Sequence, residues 1–202
     1  SLGELARPIG ARVLVDEVYL EAIFPRPQTA LKLGPEFIVT SSLTKAYGLG
    51  GLRCGWILAE PALAHRMRCL NDLFGVQQPH PADQLSVFAF DNMEKLVSRT
   101  SKLLENNRKL ALDFLKSHNE LECFIPEHGT TLFPRLKHGS VDTLASLLET
   151  KYDTMIVPGR FFEMPEHFRL GLGISTEMMR EGLKRLGEAM DEIATSHSLQ
   201  AG

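Results

Sequence analysis

Apolar residues along this chain fall into short runs that end in small or polar residues, and further on they settle into a helical period. Val13-Leu14-Val15 leads into Asp16, Phe37-Ile38-Val39 into Thr40-Ser41-Ser42, and Trp56-Ile57-Leu58 into Ala59. Such runs, rich in β-branched and aromatic residues, predict strands over 13–18, 36–41 and 53–59. The first reads as a buried parallel strand, because strands covered on both faces show continuous apolar runs rather than alternation. From Pro61 the pattern becomes helical. Residues 61–74 predict a helix with proline at its first position, and Gln77-Gln78-Pro79-His80-Pro81 breaks it. A second helical pattern covers 82–118, interrupted near Asp91-Asn92. Alternating short strands and helices follow at 121–126, 130–136, 141–150, 153–157, 167–172 and 176–195. The last is a helix capped by Ser175 or Thr176.

Composition narrows the classes. At 202 residues the chain can bury one substantial core, or one and a half domains. Its formal net charge of −3, with basic residues dispersed, gives no electrostatic footprint for nucleic acid. No stretch reaches the apolar length of a membrane span, and the first residues lack a signal-peptide pattern. Cys54, Cys69 and Cys123 form no C-x-x-C pair and read as free thiols of a reducing, cytoplasmic compartment. The seven histidines never fall at i, i+4 from one another, nor beside cysteines at zinc spacing, so no metal site is expected.

The candidate chemistry lies in two segments, VLVDEVY at 13–19 and SSLTKAYGLGGLRCGW at 41–56. Asp16 ends a strand where open α/β sheets place their ligands, and Tyr19 follows three residues on. Ser42 precedes Lys45 by three, and Arg53 follows a run of glycines that lets the backbone turn tightly. Taken singly these residues are ordinary. Ser-x-x-Lys also occurs in serine acyl-transfer enzymes. The Gly48-Leu49-Gly50-Gly51-Leu52-Arg53 stretch misses the dinucleotide fingerprint at its sixth position. An Asp-Glu pair at a strand end is usually a solvated turn.

In this order and spacing the motifs D-x-x-Y, S-x-x-K and G-x-R-x-G resemble those of the class I/II aminotransferases, enzymes of pyridoxal phosphate. The resemblance runs from about Val13 to about Ile193. It implies an α/β fold: the C-terminal part of the large cofactor-binding domain over 1–93, and the small α+β C-terminal domain over 94–202. It implies that Lys45 forms the Schiff base with pyridoxal phosphate and moves the substrate α-proton. Asp16 would protonate the pyridine nitrogen, Tyr19 would bond the ring oxygen, and Ser42 and Arg53 would hold the phosphate. HFRLGLG at 167–173 resembles the segment whose arginine grips the substrate carboxylate, which makes Arg169 the candidate. VPGRFF at 157–162 resembles the loop before it. HGTTLFPRL at 128–136 is similar to the family's Gly-plus-aromatic strand, but Thr130 and Thr131 stand where bulkier residues are common.

The implied activity is transfer of an amino group between amino-acid and keto-acid substrates, in a homodimer with no nucleic acid or membrane partner. The alternatives are a lyase or decarboxylase on the same scaffold, or a non-catalytic aminotransferase-like module of a transcriptional regulator. Family members are about twice this length. The expectation is therefore a C-terminal half, lacking the phosphate-cradling loop, the ring-stacking aromatic and the asparagine of the first half.

Overall fold

The computed structural model of the chain describes residues 1–75 and 79–200, with side chains as far as Thr195. Gln77 and Gln78 of the expected break lie outside the described residues. The chain forms two compact units, Ser1–Ser101 and Lys102–Gly202.

The first unit opens with α1 (Leu2–Ala6), whose N-terminus is closed by a reciprocal capping box of Ser1 and Glu4. Its sheet has the order β1-β2-β3, with β1 at Val13–Asp16, β2 at Phe37–Ser42 and β3 at Gly55–Leu58. β1 and β2 are parallel, and β2 and β3 are antiparallel. Phe37, Ile38 and Val39 of the central strand are buried, as their unbroken apolar run requires. β1 departs from expectation. It stops at Asp16 and alternates between half-buried and exposed positions, with Leu14 67% exposed. Leu14 and Asp16 share a face that no other described residue buries, while Val13 and Val15 on the opposite face are half-buried.

Helix α2 (Pro61–Phe74) begins with Pro61 behind the Glu60 cap, whose carboxylate accepts from the backbone N–H groups of Ala62 and Leu63. It buries none of its residues. Helix α3 (His80–Asp91) ends at Asn92, whose side chain donates to Phe88 O at 2.9 Å, and α4 (Met93–Ser117) starts at once. The expected interruption near Asp91-Asn92 is thus a break between two helices.

The second unit takes the end of α4, then β4 (Leu121–Glu122), β5 (Thr131–Leu132), β6 (Arg135–Leu136), α5 (Val141–Lys151), β7 (Val157–Pro158), β8 (Phe168–Gly171) and α6 (Thr176–Gln200). β4 pairs with β6, and β5-β8-β7 form an antiparallel sheet. The strands are shorter than the pattern predicts. Pro134 has no N–H for a ladder and splits 130–136 into β5 and β6, its carbonyl accepting instead from Phe168 N at 3.0 Å. Asp153 holds a left-handed φ of 45°, so the strand expected from 153 forms only at Val157. Phe168, Leu144, Leu148, Leu186 and Ala189 make a closed core beneath the sheet. Ser175 Oγ caps α6 by accepting from Met178 N at 3.2 Å, which selects between the two expected caps.

Candidate active site

Parallel pairing puts the C-terminal ends of β1 and β2 at one end of the first sheet. The register sets Asp16 beside Thr40 and Ser42 beside Gly55, so the start of antiparallel β3 lies there too. Arg53 stands two residues before Gly55. Lys45 lies in the loop after β2, which is closed by Leu49 N donating to Leu43 O at 2.9 Å and tied to the β3 side by Leu43 N donating to Cys54 O at 3.0 Å. Tyr19 directly precedes the 3-10 turn Leu20–Ala22 that follows β1. The topology therefore gathers Asp16, Ser42, Lys45 and Arg53 at one sheet end, with Tyr19 on the segment leaving it.

Local bonds show how each is held. Asp16 Oδ1 accepts from Thr40 Oγ1 and from Val18 N, both at 3.3 Å. Ser42 Oγ accepts from Thr44 N at 3.3 Å. Arg53 adopts a left-handed conformation with φ 52°, and its guanidinium donates to Gly50 O at 3.4 Å. That backbone region costs an L-residue roughly 1–2 kcal/mol. Asp16, Lys45 and Arg53 are all exposed, and none has an ion-pair partner among the described residues. Two cavities, of about 700 Å³ in the first unit and about 480 Å³ in the second, are lined by none of these residues.

Arg169 belongs to the second unit, on the central strand β8, paired with Val157 of β7. Its guanidinium carbon lies 5.8 Å from the Phe162 ring centroid, within cation–π range, and it has no carboxylate partner among the described residues. The preceding turn depends on Gly159. A Cβ there would collide with the carbonyls of Met164 and His167, and Gly159 N donates to His167 O at 2.6 Å. Asn107, fully buried on α4, donates to Leu172 O at 2.9 Å and Ile174 O at 2.7 Å, holding the chain just past β8.

Sequence reasoning missed several of these supports. Glu17 is buried rather than part of a solvated turn. Its Oε1 accepts from Ala30 N at 2.6 Å, fixing the crossover between the parallel strands. Thr40 becomes visible as a partner of Asp16 only through the register. His65 and Cys69, four residues apart on α2, do approach, with Nε2 and Sγ 3.8 Å apart, a pairing the histidine spacing had passed over. Among the described residues no three His, Cys, Asp or Glu side chains gather as a metal site. The side chain of His197 lies outside them.

The architecture is that of an open α/β sheet carrying its polar residues at the strand ends, followed by a small α+β unit. A family model described as aminotransferase class I and II matches residues 1–186. The chain belongs to that family. Histidinol-phosphate aminotransferase 2 of Haemophilus influenzae is 31% identical over 183 residues, covering 84% of this chain and 46% of its own. Capreomycidine synthase of Streptomyces vinaceus is 26% identical over 151 residues, covering 74% of this chain and 39% of its own. The crystal structure of a PLP-dependent aminotransferase from Streptococcus suis superposes with a TM-score of 0.87 at 23% identity, over 95% of this chain and 51% of that one. The chain spans about half the length of the curated relatives it matches.

Membership of this family implies pyridoxal phosphate as the cofactor, and the donor set fits it. An exposed amine, a carboxylate, and a guanidinium with a neighbouring hydroxyl stand at one sheet end, with their charges unneutralised by one another.

Proposed function

We propose that the whole protein is an aminotransferase that moves an amino group from an amino acid to a keto acid, with Lys45 as the attachment amine for pyridoxal phosphate. The observation that carries this is the placement of Asp16, Ser42, Lys45 and Arg53 at one end of one sheet, each charge without an ionic partner among the described residues. When bound, the cofactor supplies an electron-accepting ring for the charge left as a proton departs from the substrate α-carbon. Asp16 holds a proton on the ring nitrogen, and Thr40 Oγ1 orients that carboxylate. Tyr19 donates to the ring oxygen, and Ser42 and Arg53 bind the phosphate. Lys45 Nζ takes the α-proton as general base. Arg169 receives the substrate carboxylate through two parallel N–H donors, and the Phe162 ring supports its guanidinium without neutralising it.

On this reading residues 1–93 belong to the cofactor-binding domain and 94–202 to the small domain, with α4 beginning at the boundary. The whole protein works as a homodimer in the cytoplasm. The three free cysteines support that compartment, and no helix among the described residues is long and apolar enough to cross a membrane. Incubation with pyridoxal phosphate, borohydride reduction and peptide mass mapping test the assignment. The adduct is expected on the peptide containing Lys45. An adduct chiefly on Lys32 or Lys95 overturns it.

A further inference from the structure

The segment Lys45-Ala46-Tyr47-Gly48 is a tight turn, with Gly48 N donating to Lys45 O at 3.2 Å and Gly48 at φ 70°. Lys45 is exposed, yet the next two residues are among the most buried in the unit, Ala46 at 4% and Tyr47 at 2%. Buried backbone carbonyls outside a helix or strand need donors. Here both donors come from α4, more than fifty residues away. The buried Thr100 Oγ1 donates to Ala46 O at 2.7 Å, and Arg99 Nη2 donates to Tyr47 O at 2.8 Å. Arg99 also fits against the turn itself: a Cβ built on Gly48 would stand 3.4 Å from its Nη2.

These contacts have a direction. A threonine inside a helix ordinarily turns its hydroxyl back to the carbonyl four residues earlier. Thr100 sends it to Ala46 instead. Arg99 has no carboxylate partner among the described residues, so the Tyr47 carbonyl is its polar contact there. Consecutive residues of one helix thus hold consecutive carbonyls of the turn, on the C-terminal side of Lys45. The strand side is held separately, by Leu43 N to Cys54 O.

We infer that Arg99 and Thr100 are positioning residues for Lys45, clamping the root of its side chain to α4 so that the amine is presented from a fixed backbone. This rests on the assignment of Lys45 as the attachment amine. A four-carbon side chain is mobile, and the transfers proposed for it need its amine within bonding reach of two partners in turn. Fixing the backbone at its root is the contribution these two residues make, without touching cofactor or substrate.

The test uses the whole protein and two readouts. The first is amide hydrogen exchange over residues 43–52, measured without cofactor. The second is the share of borohydride-trapped pyridoxal phosphate adduct on Lys45 relative to Lys32 and Lys95. Thr100→Val keeps the shape and removes the donor. It is expected to speed exchange in that segment about tenfold, the equivalent of one lost buried hydrogen bond, and to lower the Lys45 share several-fold. Thr100→Ser, which keeps the hydroxyl, restores both. Arg99 is exposed, so Arg99→Met leaves the fold intact and shows the same changes at smaller size. Exchange in α5 stays constant throughout. Preferred labelling of Lys45 that survives both Thr100→Val and Arg99→Met overturns the positioning role alone. A wild-type chain whose loop is protected but whose Lys45 is not preferred overturns the assignment of Lys45, and the positioning role with it.

Discussion

In the second unit Phe168, Leu144 and Leu148 have no exposed surface, while in the first Leu14, Ile57 and Phe88 are each more than half exposed. The apolar patterns that predict these elements are much alike, and what separates the two regions is cover. The second unit packs α5 and α6 against its strands and closes its own core. Among the described residues the first has a three-stranded sheet and a 14-residue helix, α2, none of whose residues is buried. One cluster of its buried residues gathers around Leu43, Ala46 and Tyr47, in the loop that carries Lys45. Within the first unit, the loop that carries Lys45 is thus one of the two well-covered parts, the other being the central strand β2.

The largest contrast is expected from core truncation. Phe168→Ala should cost about 3–5 kcal/mol in urea unfolding, the range for deleting a buried phenyl group. Leu14→Ala, at an exposed edge position, should stay within about 0.5 kcal/mol. Comparable losses would erase the distinction between the units. A polar version of the same test is Asn107→Leu, which leaves the Leu172 and Ile174 carbonyls without their donor. It should cost roughly 2–3 kcal/mol, read as faster exchange in β8.

Function gives the next size of effect. In the whole protein, Arg169→Lys should weaken amino-acid binding by roughly 1.5–3 kcal/mol, because it keeps the charge and loses the fork. Spectral titration with amino acids measures this, and equal affinities would remove Arg169 from the site. Arg53→Gly should act in opposite directions on the two properties. Relief of the left-handed strain should stabilise the chain by up to about 1 kcal/mol, while phosphate affinity falls. A destabilised Arg53→Gly variant would show that its backbone is not strained.

The smallest effect is a pH dependence confined to the second unit. Lys151 donates to both oxygens of Glu192, at 2.6 and 2.8 Å, and Tyr152 adds a bond at 2.8 Å. These bonds hold the Glu192 carboxyl below its ordinary value. A carboxylate with a depressed folded-state value contributes stability that is fully present above its unfolded value and is lost as pH falls through the folded one. Glu192→Gln should therefore flatten the stability curve below about pH 4.5 and leave the neutral region nearly unchanged. An unaltered acid limb would show that the bonds contribute nothing there.

Much of this protein was legible in the order of its residues. The apolar runs ending in Asp16 and Ser42, proline at the head of α2, the break at Asn92 and the S-x-x-K and G-x-R-x-G spacings are local signals, each set by backbone geometry or side-chain chemistry within a few residues. They suffice for the order of the main elements, for the family and for the candidate site residues. Tertiary structure decided what depends on neighbours far along the chain. The run at 13–15 could not announce that one face of β1 is exposed, since burial is a property of what packs on a strand and not of the strand. Pro134 could be read, but the cut it makes in the ladder depends on which carbonyl its neighbours meet. Glu17, Thr40, Arg99 and Thr100 look like surface residues until register and a helix from fifty residues away bring a carboxylate, a hydroxyl and two carbonyls into bonding distance. Local pattern fixes what a segment can become, and only long-range contact determines which of its polar groups are held.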